Sequence, residues 1–195
     1  MARALRRSHI RKKRSRTEPT SEQLLEAAAA EFNENGYAGT DTNRIARRAG
    51  FAPQTFYRWF QDKADIFIHV YDRWRQDLFG VLGPLFTRNA DDVRIAEAVI
   101  AHHKAYLIFR RSLRQLSVEN DAIRTARAKS RQQQISAIKA LRPSPGRDVA
   151  VLTTILLQVE RLADALAERE FRDMGLDEAA AHDAMTCLIH DLRAG

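Results

Sequence analysis

The sequence predicts an all-α chain, and three observations carry that reading. Apolar residues recur at spacings of three and four along most of its length, and no stretch alternates apolar and polar residues as a half-buried strand does. Only eight glycines and five prolines interrupt 195 residues of which 45% are hydrophobic. The stretch Thr40–Lys63, TDTNRIARRAGFAPQTFYRWFQDK, has the grammar of a helix-turn-helix.

The elements follow in order. Residues 1–19 form a basic arm. Arg3, Arg6, Arg7, Arg11, Lys12, Lys13, Arg14 and Arg16 precede any acidic residue, so that of a net charge of +7 everything after Arg16 carries about −1. Without apolar periodicity the arm is expected to be disordered when free. Three readings stay open: an arm that lies along phosphates or enters a minor groove through Arg11, Lys12, Lys13 and Arg14, a targeting peptide, or a solvated terminus.

A first helix is expected next, capped by Thr20 or Ser21. Leu24, Leu25, Ala28 and Phe32 form its apolar stripe, with Glu22, Glu26 and Glu31 on the other side, and Asn35-Gly36 stops it. In the stretch that follows, Ile45, Ala46 and Ala49 share one short helical face, and Phe56, Trp59 and Phe60 share another. Gly50 between them supplies the positive φ that a tight turn needs, and Phe51 plugs the corner. The second of these helices starts near Ala52 or Pro53 and presents Pro53, Gln54, Thr55 and Arg58 outward. Gln pairs with adenine, Thr touches a thymine methyl and Arg takes guanine or phosphate, so this face suits the major groove of double-stranded DNA. Asn43 and Arg44 lie close enough to join them, while Thr40, Thr42, Tyr57 and Lys63 suit phosphate oxygens. A plain two-helix corner with an aromatic core is the other reading of the same spacing.

Asp62 opens a longer helix whose Phe67, Val70, Tyr71, Trp74 and Leu78 share a buried face, with a break expected at Gly80, Gly83 and Pro84. Asp91-Asp92 begins another, with Ile95, Ala96, Val99, Ile100, Tyr106 and Leu107 apolar, and Leu113 and Leu116 carry the pattern to a break at Glu119-Asn120-Asp121. Ala122–Leu141 has a thin stripe of Ile123, Ala126, Ile135, Ile138 and Leu141 among Arg124, Arg127, Lys129 and Arg131, and is expected on the outside. Arg142-Pro143-Ser144-Pro145-Gly146 reads as a linker.

Beyond it, two terminal helices carry more apolar surface than one small core needs. Leu152, Ile155, Val159, Leu162 and Leu166 lie on the first, and Met185, Leu188 and Leu192 on the second, from about Asp177 to Arg193. They suggest a homodimer packed as a four-helix bundle, the alternative being an intramolecular core.

Other chemistries find no support. No nucleophile with a base, no carboxylate pair and no phosphate-binding glycine loop can be placed, so no catalytic residue, enzymatic activity or cofactor is expected. His102-His103, His182 and His190 lack the spacing of a metal site. No run approaches the eighteen or so apolar residues of a membrane span, and no membrane partner is expected. Cys187 is the one cysteine, read as a buried structural thiol in a reducing compartment.

Residues 36–67, GYAGTDTNRIARRAGFAPQTFYRWFQDKADIF, resemble the DNA-binding domain of the tetracycline-repressor-like (TetR) family. Gly36, Tyr37, Thr40, Ile45, Ala46, Ala49, Gly50, Phe56, Tyr57, Phe60, Lys63, Ile66 and Phe67 match in fixed order without a gap. The pattern departs at Asp41, Phe51, Ala52 and Trp59, and Ala52 removes the hydroxyl that would cap the second helix, a loss of roughly 1 kcal/mol. The resemblance implies a three-helix helix-turn-helix DNA-binding domain over 20–62 and a larger α-helical ligand-binding and dimerisation domain over 63–195. It also implies an effector cavity among the middle helices, with Tyr71, Trp74, Phe86, His103, Tyr106, Phe109 and Leu156 as candidate lining. The function so implied is a cytoplasmic, nucleoid-associated, homodimeric transcriptional regulator. It would be a repressor released from a palindromic operator by a small lipophilic or aromatic ligand. An architectural, chromosome-organising protein without an effector is the alternative.

Overall fold

A computed structural model describes residues 19–141 and 148–193. The basic arm, with Arg11, Lys12, Lys13 and Arg14, and the linker at 142–146 lie outside the described residues. Among those described, ten helices and no strand occur: α1 (Thr20–Asn35), α2 (Thr42–Ala49), α3 (Pro53–Phe56), α4 (Lys63–Thr87), α5 (Asp92–Ala105), α6 (Leu107–Glu119), α7 (Asp121–Leu141), α8 (Val149–Glu168), α9 (Glu170–Asp173) and α10 (Ala179–Arg193). No described helix is long and apolar enough to cross a membrane.

Local chemistry explains most of the boundaries. Asp41 caps α2 by accepting from the Arg44 N–H at 2.7 Å, and Asp62 caps α4 by accepting from the Asp65 N–H at 2.8 Å. Gly50 ends α2 in the left-handed region at φ 78°, as the turn demands. At the start of α1 the expected side-chain cap is absent. Thr20 is already helical and the Pro19 carbonyl accepts from the Glu22 and Gln23 N–H groups instead.

Two apolar clusters form the interior. The first joins α1, α2 and α3 to the first half of α4, to Phe109, Leu113 and Leu116 of α6 and to Ile123 of α7. The second joins the far end of α4 to α5, α7, α8 and α10. Apolar packing therefore runs across residue 62 without a gap.

Four expectations about elements are corrected. First, α4 does not break at Gly80, Gly83 or Pro84 but continues to Thr87, because Leu82, Leu85 and Phe86 extend its apolar stripe onto the second cluster. Second, the segment expected to run on through Tyr106 breaks there, separating α5 from α6. Third, α7 is not an outer helix, since Ile123, Ser130, Gln134 and Ile135 are all buried. Fourth, Cys187 is exposed rather than buried.

Candidate nucleic-acid interface and buried polar centre

The helix-turn-helix is held by aromatic packing from within. Phe32, Tyr37 and Phe67 meet with ring centroids 5.0 to 5.9 Å apart, and Phe56 and Phe60 are buried beneath α3. Lys63 closes the assembly. Its ammonium donates to the Tyr37 and Thr40 carbonyls, 2.9 Å each, and lies 3.9 Å from the centre of the Tyr37 ring. Desolvation lowers its pKa from the usual lysine value.

The predicted contact residues divide by where they point. Asn43, Gln54, Tyr57 and Arg58 are exposed, and Thr42, Pro53 and Thr55 are half-buried beside them. Gln54 and Arg58 make no side-chain hydrogen bond among the described residues, which leaves their donors available to a partner. The Thr42 and Tyr57 hydroxyls lie 3.0 Å apart, linking the start of α2 to the end of α3.

Thr40 requires correction. It is 3% exposed with its hydroxyl on the Glu31 carbonyl at 3.4 Å, so its side chain faces inward rather than toward phosphate. Glu31, expected on the outer face of α1, is buried and receives Arg44 at 3.2 Å and Arg48 at 3.0 Å. Arg44 is thereby drawn back toward α1. Trp59, expected in the core with Phe56 and Phe60, is 51% exposed, because α3 ends at Phe56 and the chain turns through 57–59. Its neighbours Tyr57 and Arg58 are exposed with it.

The effector candidates do not form one lining. Tyr71, Trp74 and Phe109 are buried in the first cluster, with Tyr106 packed against it, whereas Phe86 and Leu156 belong to the second. His103 lies at a buried ionic centre that sequence reading missed. Asp164, 2% exposed on α8, accepts from His103 Nδ1 at 2.9 Å, from Arg110 Nε at 3.1 Å and from Arg110 Nη2 at 3.0 Å, and Arg114 lies 2.8 Å away. One turn earlier Glu160 accepts from Arg127 at 3.1 Å and Arg131 at 2.6 Å. Burial alone would raise the Asp164 carboxyl, but the His103 hydrogen bond and the Arg110 guanidinium hold it well below the usual carboxylate range. Burial, then Arg110, lowers the His103 pKa, and because the Asp164 carboxylate only accepts, Nδ1 is the nitrogen that carries the proton.

A signal for this centre was present in the sequence. Glu160, Asp164 and Glu168 repeat every four residues along an otherwise apolar face, and the pairs Arg110/Arg114 and Arg127/Arg131 repeat at the same interval. Every one of these arginines meets a carboxylate of that row.

Beside the ionic centre lies a second group without partners. Trp74 Nε1 and both ring nitrogens of His102 are buried and make no hydrogen bond among the described residues. The two rings are 5.1 Å apart, and Tyr106 lies 4.9 Å from His102. Burial, then the neighbouring His103 and Arg110, push the His102 pKa down to about 4. Among the described residues no group of three His, Cys, Asp or Glu could hold a metal ion.

The expected dimer residues are also redistributed. Leu152, Val159, Leu166, Met185 and Leu192 are buried in the chain's own second cluster, packed against α5, while Ile155, Leu162 and Leu188 are only partly covered. What stays open is a shallow groove of about 630 Å³ along α8, α9 and α10, lined by Leu157, Leu162, Phe171, Met174 and Leu188 among others.

Residues 24–70 match the family described as bacterial regulatory proteins, tetR family. The chain is 30% identical over 90 residues, 46% of its length, to the fatty acid metabolism regulator protein of Bacillus subtilis (strain 168), and covers 42% of that protein. It is 36% identical over 61 residues, 31% of its length, to the HTH-type transcriptional repressor SCO4008 of Streptomyces coelicolor, covering 32% of it. The matched stretch thus spans less than half of either curated relative. Among solved structures, FadR from Bacillus subtilis in complex with stearoyl-CoA superimposes with a TM-score of 0.61 at 20% identity, over 86% of this chain and 96% of that one. At that identity the likeness concerns the fold.

Proposed function

Since this chain belongs, through residues 24–70, to the tetR family of bacterial regulatory proteins, we propose that it is a homodimeric repressor that reads a palindromic operator and is released by a lipophilic small molecule. The observation that carries the reading is the outward surface of the helix-turn-helix. Gln54 and Arg58 stand there with free hydrogen-bonding groups, behind a turn fixed by the Asp41 cap and by Gly50. Gln54 reads a base edge, and Tyr57, Thr42 and Asn43 hold phosphates or sugars, with Trp59 added as an apolar contact. The arm residues Arg11, Lys12, Lys13 and Arg14 extend the phosphate contacts.

Homodimerisation supplies two recognition surfaces for two half-sites, and the open groove along α8, α9 and α10 is the face we assign to it. The effector reading draws on a relative of the same fold that was crystallised with stearoyl-CoA. In this chain the effector domain is bonded to the DNA-binding helices by more than α4. Asn33 of α1 donates to the Ala105 carbonyl at 2.9 Å, and Ser112 of α6 accepts from the Tyr37 N–H at 3.0 Å. A displacement of the α5–α6 junction reaches α1 directly. The relatives, being regulators, lend nothing to the architectural alternative.

Selection of bound fragments from genomic DNA by the full-length protein, followed by footprinting, tests the reading. One or a few palindromes are expected, with Gln54→Ala costing about 1 to 3 kcal/mol at a single base pair of each half-site. Uniform, sequence-independent coating of DNA would overturn it.

A further inference from the structure

We infer that the hollow between the α5–α6 junction and the α8–α9 turn is a binding site for the phosphoryl group of a small, soluble phosphate monoester. The inference stands apart from the effector reading above, and neither depends on the other.

The hollow measures about 350 Å³ and is lined by Lys104, Leu107, Leu166, Glu168, Arg169 and Arg172 among others. That volume is at the lower end for small-molecule sites, enough for a phosphoryl group and a short body. Buried Leu166 and half-buried Leu107 give it apolar wall. Its charges are uneven. Glu168 accepts from Arg111 Nε at 2.9 Å and is paired with Arg114 as well. Glu178, also in the lining, is paired with Arg172 at 2.9 Å. Both carboxylates are therefore matched already. The side chains of Lys104 and Arg169 make no hydrogen bond or ion pair among the described residues. Two positive charges thus line one cavity without a counter-charge. A phosphoryl group carries about −1.5 to −2 at neutral pH and three acceptor oxygens, which answers both cations, whereas a carboxylate balances only one.

The backbone adds an independent observation. Arg169 adopts φ 65° and ψ 27° at the end of α8, the left-handed conformation that glycine takes without strain. An arginine there bears a conformational cost that glycine would remove, and no bond of its side chain within the described residues offsets it. Strain of this kind gathers at ligand sites. In addition, α6 begins at Leu107 without a side-chain cap, which leaves the positive end of its dipole uncovered at the wall of the hollow. Lys104 and Arg169 also stand at the carbonyl ends of α5 and α8, and complementing those ends is the role they would have without a ligand. Lys104 adjoins Ala105, whose carbonyl accepts from Asn33 of α1. A phosphoryl group on Lys104 is therefore one residue from the bond that ties the junction to the DNA-binding helices.

The test follows the backbone amide resonances of Leu107 and Arg169 in the full-length protein as phenyl phosphate is added at neutral pH and constant ionic strength. Saturable shifts at both are expected, with a dissociation constant on the order of a millimolar or below. Benzoate keeps the ring and halves the charge, and should bind about tenfold more weakly. Inorganic phosphate keeps the charge without the ring, and should also bind more weakly. Arg169→Gly suits the left-handed turn and so keeps the fold, yet should raise the phenyl phosphate constant by about tenfold, read at Leu107. Lys104→Gln should do the same, read at Arg169. Arg47→Gln, which removes an exposed arginine of α2, should leave the constant unchanged. Benzoate or inorganic phosphate binding as well as phenyl phosphate, shifts that never saturate, or an Arg169→Gly protein that binds as before overturns the inference and leaves the two cations to their helix ends. Fragment selection is scored separately, so the regulator and this site stand or fall on different measurements.

Discussion

Lys63 directs its ammonium inward, onto two backbone carbonyls and an aromatic face. Its position in the motif marks it as a phosphate contact, yet the geometry gives it a structural task first. Lys63→Ala should destabilise the protein by about 1 to 3 kcal/mol in urea unfolding, because two carbonyls lose a charged donor. A variant that keeps wild-type stability and loses only DNA affinity would show the contact role to be the whole of it. Asp164 poses the same kind of question at the other end of the molecule. Asp164→Asn removes the charge that Arg110 and Arg114 share, and should cost about 3 to 5 kcal/mol, read from the urea midpoint at neutral pH. Because the folded carboxyl titrates below its unfolded value of 3.8, its contribution is present above that pH and is lost as pH falls toward the folded pKa. His102 works in the same direction over a higher range. Its pKa falls from 6.5 to about 4, so between those values the unfolded chain binds a proton that the folded chain refuses, and stability declines on acidification. In His102→Phe the slope of stability against pH between 6.5 and 4 should flatten. The exposed Gln54 and Arg58 were legible from the motif, whereas the inward turn of Thr40 was not, since a threonine hydroxyl serves a buried carbonyl as readily as a phosphate.

At the scale of the element, periodicity located the helices, and local stop signals marked the ends of α1, α2 and α6 but misjudged that of α4. Gly80, Gly83 and Pro84 are breakers by local chemistry, but they sit where Leu82, Leu85 and Phe86 still find apolar partners. Tertiary burial outweighed propensity there. The proline costs α4 one internal bond, because the Gly80 carbonyl has no N–H four residues on. Pro84→Ala should therefore raise stability, by up to about 3 kcal/mol in thermal or urea unfolding. Unchanged or lower stability would mean that the ring's own packing compensates. The break at Tyr106 was illegible for the opposite reason, since no glycine or proline marks it. Bonds made at a distance, Asn33 to the Ala105 carbonyl and Arg110 to Asp164, attend the redirection. The shortness of α3 likewise left no mark in spacing, and with it went the expectation that Trp59 was core.

At the scale of the whole molecule, the all-α architecture was readable from pattern alone, while the partition of apolar surface between core and partner was not. Leucines on α8 and α10 recur at one interval whether they face α5 or a second copy. Burial within the chain claims Leu152, Val159 and Leu166 and leaves Leu157, 41% exposed, on the open groove. If the groove carries the proposed homodimer, Leu157→Glu should leave the protein monomeric in sedimentation equilibrium and weaken binding to the proposed operator while leaving the unfolding midpoint of the monomer nearly unchanged. A dimer that survives the charge places its interface elsewhere. The unbroken α4 has a further consequence that is one of gearing. Its 25 residues span roughly 37 Å, from the aromatic base of the helix-turn-helix to the second apolar cluster. A tilt of about 5° about one end carries the other by about 3 Å, close to the 3.4 Å step between base pairs. In the proposed regulator the rod would set the angular tolerance of operator reading: a few degrees at the distant cluster are worth a whole rung of DNA.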